Sequence, residues 1–119
     1  TPQLLRNLYG TAVDEMLEHA REAVSHVSMR RREDLAADRL LRLALERLVE
    51  IVGEAANRVS AATRQRFVGV PWREAVSMRH RVSHGYDTVD YDLLWDTIRD
   101  DFPPLIAALE DALDEANGA

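Results

Sequence analysis

Apolar residues recur at intervals of three and four positions along almost the entire 119-residue chain. This spacing lines one face of an α-helix, whereas a half-buried strand needs strict alternation. No convincing strand pattern, repeat or low-complexity tract accompanies it, so the sequence predicts an all-α fold. The first predicted helix covers residues 3–27, and its apolar stripe comprises Leu4, Leu5, Leu8, Ala12, Leu17, Ala20, Val24 and Val27.

The second predicted helix, about residues 34–59, is the most apolar part of the chain. Its apolar residues cover more than one face, so this helix must be buried on more than one side. Either an intramolecular core or a subunit interface could provide that burial. The next stretch, SAATRQRFVGVPW, is predicted to be a loop because Gly69 and Pro71 punctuate it.

A third helix is predicted over residues 71–84. Pro71 suits the first turn, where a backbone N–H has no partner within the helix, and Gly85 is typical of the position just past a helix end. The basic and polar residues at the end of this helix therefore lie where the helix gives way to a connection.

The last predicted helix begins after Asp90, which suits the N-cap position. Pro103 and Pro104 remove two backbone donors within its apolar pattern, so a kink or break is expected near Phe102. Four helices joined by short connections predict an antiparallel four-helix bundle. The length fits a single domain, residues 1–119.

Composition excludes several classes of protein. The chain has no cysteine, so disulfides and thiolate chemistry are excluded, which fits a reducing cytoplasm. No apolar run approaches the length of a membrane span, and no signal pattern opens the chain. We therefore expect a cytoplasmic protein without a membrane partner.

Charge is distributed unevenly along the chain. The net charge is −6, but residues 58–84 hold six arginines and one acid, which gives +5, while residues 85–119 hold one arginine and ten acids, which gives −9. A local basic patch on an acidic body can bind a polyanion, although the overall charge argues against extensive nucleic-acid binding.

The basic window ends in the sequence MRHRVSHGY, which contains Arg79, His80, His84 and Tyr86. Arg79 and His84 are five residues apart, about 140° on an ideal helix, but His84 lies in the last turn and Arg79 is long, so both could reach one phosphate. A histidine can take a proton from a 2′-hydroxyl or give one to a leaving oxygen, and a guanidinium can neutralise the crowded phosphate. The set therefore suits RNA cleavage without a metal.

Other interpretations of the same residues remain open. His80 and His84 share a helix face, which also suits a metal site, but Arg81 stands where a His-Glu-x-x-His motif has glutamate. Ser83 lacks a recognisable partner for a hydrolase triad. The histidines could also be purely structural. We predict no metal and no other cofactor.

Arg79-x4-His84-x-Tyr86 resembles the Arg-x4-His-x-Tyr motif of the HepT toxins, small helical ribonucleases of the HEPN superfamily. The sequences GEAA and PWRE upstream, and the Gly-Tyr pair that follows the histidine, strengthen the resemblance, which covers most of residues 35–115. His80 stands where HepT sequences commonly have asparagine.

The resemblance implies a toxin of a type VII-like toxin–antitoxin pair, a metal-independent endoribonuclease acting on RNA. It implies a homodimer with a composite site, and a minimal nucleotidyltransferase (MntA-like) antitoxin, in a complex that could be larger than the dimer. By the same resemblance Arg79 binds the phosphate, His84 is the acid/base, His80 supports them, and Tyr86 receives AMP from the antitoxin. Two alternatives remain: a non-catalytic nucleotide-binding partner of a nucleotidyltransferase, and a purely structural helical dimer.

Four further features have alternative interpretations. Glu54 either faces the site, where it could hold Arg79 or tune His84, or simply packs. The run Arg30-Arg31-Arg32 favours a solvated connection ahead of a helix over an RNA contact. Trp72 and Trp95 favour core or interface positions over base stacking.

Overall fold

A computed structural model of the chain describes residues 12–82 and 89–118, and no strand occurs within them. The all-α prediction is therefore confirmed for this part of the chain. The helices are α1 (Ala12–Ser28), α2 (Asp34–Ala37), α3 (Arg39–Arg58), α4 (Ala61–Arg66), α5 (Trp72–Val82), α6 (Tyr91–Asp96), a π-helical turn (Thr97–Asp101) and α7 (Phe102–Gly118). The predicted first helix is confirmed from residue 12 onward, and its earlier part lies outside the described residues.

Helix α3 lies at the centre of a bundle. It packs against α1 on one side and α5 on another, while α7 and the π-helical turn pack against α1. This two-sided burial explains why apolar residues cover more than one face of α3. The largest fully buried side chains come from α1, α3 and the C-terminal helices, and include Met16, Leu45, Val49, Val52, Leu94, Ile98, Phe102, Leu105 and Leu109.

The helix predicted at residues 34–59 is interrupted, which corrects its boundaries. Asp38 has an extended backbone, and its carboxylate accepts a hydrogen bond from the N–H of Leu41 at 3.1 Å. An aspartate that caps α3 in this way satisfies a backbone donor that would otherwise have no partner. The residues before it form only the single turn α2.

The prediction of a loop throughout SAATRQRFVGVPW is wrong for its first half. Ser60 caps the short helix α4 by accepting from the N–H of Thr63 at 3.2 Å. A serine at the N-cap offsets the cost of starting a helix even over six residues. Helix α5 then begins at Trp72, directly after Pro71, whose carbonyl accepts from the N–H of Ala75 at 3.0 Å.

The irregularity predicted near Phe102 is a π-helical turn directly before it, and helical hydrogen bonding continues into α7. The N–H of Phe102 donates to the carbonyl of Thr97, five residues back. Pro103 and Pro104 have no N–H, and their rings clash with carbonyls four residues earlier in a regular α-helix. A widened turn relieves both problems, so the C-terminal helices remain joined. No helix within the described residues is long and apolar enough to cross a membrane.

Candidate functional site between helices α3 and α5

Helix α5 is anchored at its start and along one face. The indole N–H of Trp72 donates to the carbonyl of Phe67 at 3.0 Å, and the side chain is buried. Ala75, Met78 and Val82 follow at helical spacing and are also buried. This anchoring leaves Arg79 at the edge of the buried stripe, half-exposed, and His80 beside it on the exposed surface.

Helices α3 and α5 approach closely at Gly53. A Cβ atom built there would lie 3.5 Å from the carbonyl oxygen of Ala75, 3.6 Å from that of Val76 and 3.7 Å from Cδ of Arg79. These are ordinary contact distances, so a methyl group would fit but a larger side chain would press on the α5 backbone. Gly53 therefore helps to set how close the Arg79 stem lies to α3.

A cleft of about 280 Å³ opens beside this crossing. One wall is a row of glutamates spaced four residues apart on α3, and the other wall is the end of α5. The lining residues are Glu46, Val49, Glu50, Glu54, Arg79, His80, Val82 and Val89. Arg79 and His80, both predicted from the sequence, thus lie in one cleft.

Glu54 faces this cleft rather than the core. Its Oε1 atom lies 3.8 Å from Nη1 of Arg79 and 3.6 Å from Nη1 of Arg47. Arg47 also reaches Glu50 at 3.1 Å. These side chains are exposed by about a third or more, and such ion pairs contribute roughly 0–1 kcal/mol, so a bound anion could replace them.

His84 and Tyr86 lie outside the described residues, as does Ser83. The residues on both sides of that segment, Val82 and Val89, line the cleft. In addition, the N–H of Asp90 donates to the carbonyl of Val82 at 2.8 Å. The segment that carries the histidine and tyrosine therefore begins and ends at the cleft.

Tyr91 of α6 meets Arg42 and Glu46 of α3, three residues that were not singled out from the sequence. The hydroxyl of Tyr91 donates to the carboxylate of Glu46, and this bond raises the tyrosine pKa above its usual value. The guanidinium of Arg42 lies 5.5 Å from the centre of the Tyr91 ring. Arg42 and Glu46 are one turn apart on α3, a spacing that places them on one side of the helix, but nothing local links them to Tyr91.

At least half of the arginines in the basic window pair with other parts of the fold. Arg58 pairs with Glu15 of α1, and Arg64 donates to the carbonyls of Ala56 and Val59 at the end of α3. Arg81 pairs with Asp101 at 3.5 Å. At least three of the six arginines therefore already have partners within the protein.

Arg30 and Arg31 are exposed, as predicted, whereas Arg32 is half-exposed. Arg32 donates to the carboxylates of Asp92, at 3.2 Å, and Asp96, and so ties the connection after α1 to α6. The hydrogen bond to Asp96, followed by that to Asp92, raises the pKa of Arg32. Trp72 and Trp95 are buried, as their core interpretation predicted.

No group of three or more histidine, cysteine, aspartate or glutamate side chains within residues 12–82 and 89–118 is arranged to hold a metal ion. His84 lies outside these ranges, so metal-independent chemistry remains a prediction.

Comparisons with known proteins point to one family. The sequence model of the HepT-like ribonuclease family matches residues 16–112. A Methanocaldococcus jannaschii protein designated a candidate RNase, MJ1380, is 30% identical over 96 residues, which cover 81% of this chain and 88% of that protein. A Thermococcus cleftensis protein designated a probable ribonuclease HepT is 35% identical over 78 residues, or 66% and 71% of the two chains. No solved structure matches the chain significantly.

Proposed function

Since this chain belongs to the HepT-like ribonuclease family, we propose that it is an endoribonuclease toxin whose site is the cleft between α3 and α5. The observation that carries this proposal is the placement of Arg79 and His80 in one cleft that both ends of the His84 segment also line. Relatives designated as ribonucleases support an RNA substrate.

Arg79 binds the scissile phosphate in this proposal. The guanidinium would leave Glu54 for the phosphate, forming stronger charge-assisted hydrogen bonds. As the 2′-hydroxyl attacks phosphorus, negative charge builds on the phosphate oxygens, and a fixed guanidinium stabilises that charge. The products are a 2′,3′-cyclic phosphate and a free 5′-hydroxyl, so the reaction itself needs no metal or water.

His84 moves the protons. It removes the 2′-hydroxyl proton, and the resulting imidazolium then donates that proton to the departing 5′-oxygen; such help contributes about 10²–10⁴-fold. His84 follows Val82, which lines the cleft, by two positions in the sequence. His80 supports the site from the adjacent turn of α5.

Cleavage of a labelled RNA pool in EDTA tests this assignment. The wild-type protein should cut RNA, and His84→Ala should lose the activity at unchanged Tm. His26→Ala, which alters a half-exposed histidine of α1, serves as the matched control and should retain it. Binding of RNA or ATP without cleavage by the wild type would instead support the non-catalytic nucleotide-binding alternative.

Tyr86 is the proposed site of silencing by a nucleotidyltransferase antitoxin. Its phenol oxygen would attack the α-phosphorus of ATP, pyrophosphate would leave, and the phenolic proton would pass to a base. The new phosphodiester carries a negative charge two residues from His84, and Arg79 could pair with it in place of substrate.

Intact mass after incubation with the transferase and ATP tests this step. The masses of the wild-type protein and of the control variant Tyr91→Phe should rise by one or more AMP units, and both should lose ribonuclease activity. The mass of Tyr86→Phe should not change, and this variant should stay active. Normal inactivation of Tyr86→Phe would exclude the assignment.

The proposed homodimer has a candidate interface on the outer face of α3. Leu40 and Leu43 are 77% and 42% exposed, and Ala44 and Ile51 are half-exposed on the same side of the helix. Contiguous exposed apolar residues commonly mark contact surfaces. The glutamates of the cleft lie beside this stripe on α3, so pairing through it would bring two clefts to one interface.

Light scattering tests the interface with Leu40→Glu. We expect Leu40→Glu to be a monomer. It should no longer cleave RNA, because the proposed composite site needs the clefts of two copies at one interface. Val68→Glu is the matched control, since Val68 is 81% exposed on the loop after α4, and it should remain dimeric. A dimer that survives Leu40→Glu would place the interface elsewhere.

A further inference from the structure

Tyr91 is an exposed aromatic ring at the edge of the proposed ribonuclease cleft. Its side chain donates to Glu46, which lines the cleft, and Val89, two residues earlier, lines it too. The ring nevertheless remains 37% exposed. An aromatic side chain that could be buried, but instead stays open beside a site, is available for stacking.

The ring is held in place from two directions. Its hydroxyl faces the carboxylate of Glu46, and the guanidinium of Arg42 lies 5.5 Å from the ring centre. Arg42 is itself fixed, because Nη1 donates to the carbonyl of Leu35 at 2.6 Å and to that of Ala36 at 3.0 Å. A ring positioned in advance loses little conformational entropy when a ligand stacks on it.

The position along α3 suits a nucleotide near the scissile phosphate. Glu46 and Glu54 are eight residues apart, about 12 Å along the helix axis. A phosphate at Arg79, which contacts Glu54, and a base at Tyr91, which contacts Glu46, would therefore belong to nucleotides close together in one strand.

We propose that Tyr91, supported by Arg42 and Glu46, is a base-stacking subsite that positions RNA beside Arg79. The proposal rests on the proposed ribonuclease function. Bases stack on aromatic rings regardless of identity, so Tyr91 supplies affinity. Glu46 supplies selection, because a carboxylate accepts hydrogen bonds from the exocyclic amino groups of adenine, cytosine and guanine, whereas uracil has none.

Binding of fluorescent 2′-O-methyl oligonucleotides of adenine, cytosine or uracil tests the subsite. The methyl group blocks the attacking hydroxyl, so binding is measured without cleavage. Wild type should bind the adenine and cytosine strands more tightly than the uracil strand. Tyr91→Leu should weaken binding about 5- to 100-fold, since stacking is lost, while Tyr91→Phe keeps the ring but not the hydroxyl and should bind more tightly than Tyr91→Leu.

Two controls separate stacking from structure and charge. Tm of both Tyr91 variants is recorded, because a purely structural tyrosine would lower Tm and binding together in Tyr91→Phe as well. Glu46→Gln should reduce the preference for amino-bearing bases, whereas Glu50→Gln, which removes the same charge one turn along the cleft wall, should preserve it. If Glu46→Gln and Glu50→Gln lost the preference for amino-bearing bases equally, the preference would come from the charge of the cleft wall in general. That result would overturn the role of Glu46 in selection.

Unmodified RNA is tested in parallel to keep the two proposals apart. If the wild-type protein cleaves RNA and Tyr91→Leu binds the oligonucleotides as tightly as wild type, the subsite proposal alone is overturned. Binding that depends on Tyr91 without any wild-type cleavage would overturn the ribonuclease and leave the subsite standing. A wild-type protein that neither binds nor cuts RNA would overturn both.

Discussion

Arg32 and Arg79 are matched in exposure, with side chains 35% and 36% exposed, and both face carboxylates on a neighbouring helix. Arg32 divides its guanidinium between two aspartates of α6, one at 3.2 Å and one closer. Arg79 meets Glu54 at 3.8 Å. Short hydrogen-bonded pairs fix two elements together, whereas a long ion pair holds a charge near a position without binding it tightly. Arg32 therefore joins two elements of the fold, whereas the pair between Arg79 and Glu54 is weak enough for a bound anion to replace it.

Replacing each arginine by alanine should change a different property, the cleavage rate for Arg79 and Tm for Arg32. The change in cleavage rate is the largest effect that we expect. Arg79→Ala should reduce RNA cleavage about 10²–10³-fold with little change in Tm, since it removes transition-state charge stabilisation. Arg32→Ala should lower Tm and leave cleavage by the folded protein unchanged. Cleavage rates and melting curves of both variants check this, and a similar loss of activity in both would remove the distinction.

Gly53 tests whether the α3–α5 crossing positions Arg79. Gly53→Leu should destabilise the protein by about 1–3 kcal/mol, because the side chain must push against the α5 backbone. Gly53→Ala fits the ordinary contact distances and should stabilise it by about 0.5–1 kcal/mol through helix propensity. Denaturant unfolding measures both. A loss of stability in Gly53→Ala would mean that the crossing is tighter than its distances indicate.

Removing the carboxylate charge of Glu54 tests whether its ion pair with Arg79 competes with RNA binding. Glu54→Gln removes one negative charge and one long ion pair from the cleft, so affinity for the 2′-O-methyl strands should rise about two- to fivefold. Glu110→Gln is a suitable control, because it removes one charge from the exposed pair with Arg21, 3.3 Å long and on α7. Weaker binding in Glu54→Gln would show that Glu54 orients Arg79 for substrate.

The smallest effect concerns the network around α6 at low pH. The hydrogen bond from Arg99 holds the pKa of Asp100 below its usual 3.8. A carboxyl with a lowered folded pKa adds stability that is present above the usual pKa and is lost as pH falls through the folded value. Asp100→Asn should therefore lower Tm at pH 6 and show a smaller further drop below pH 4 than wild type. Asp114→Asn, on α7, is the comparison variant.

Local sequence signals predicted much of the bundle. Apolar periodicity located the long helices because burial on one face demands it, and Asp90 was predicted as a cap and accepts from the N–H of Leu93 at 2.9 Å. Asp38 and Ser60 cap helices in the same way, but neither was predicted to do so. The apolar pattern on both sides of Asp38 suggested one continuous helix, and Gly69 and Pro71 suggested that the stretch after Ser60 was a loop. Both residue types are typical of N-caps, but whether a helix starts at each of them depends on how the neighbouring segments pack.

The site was predicted less completely because its partners are distant in sequence. Arg79 and His80 were identified from a local motif, and Glu54 was weighed as one of two possibilities. Twenty-five residues separate Glu54 from Arg79, and forty-five separate Glu46 from Tyr91. Only packing of α3 against α5 and α6 brings these pairs together, and no local rule specifies which side chains then meet.

The hydrogen bond between the N–H of Asp90 and the carbonyl of Val82 has a consequence for how such a protein can diversify. Because the exit from α5 and the start of α6 meet at one point, the bundle is closed without regard to how many residues lie between them. Lengthening a connection whose ends are already joined costs little, about 0.6 kcal/mol for each doubling. The bundle would therefore tolerate a longer stretch between Val82 and Asp90 at little cost in stability.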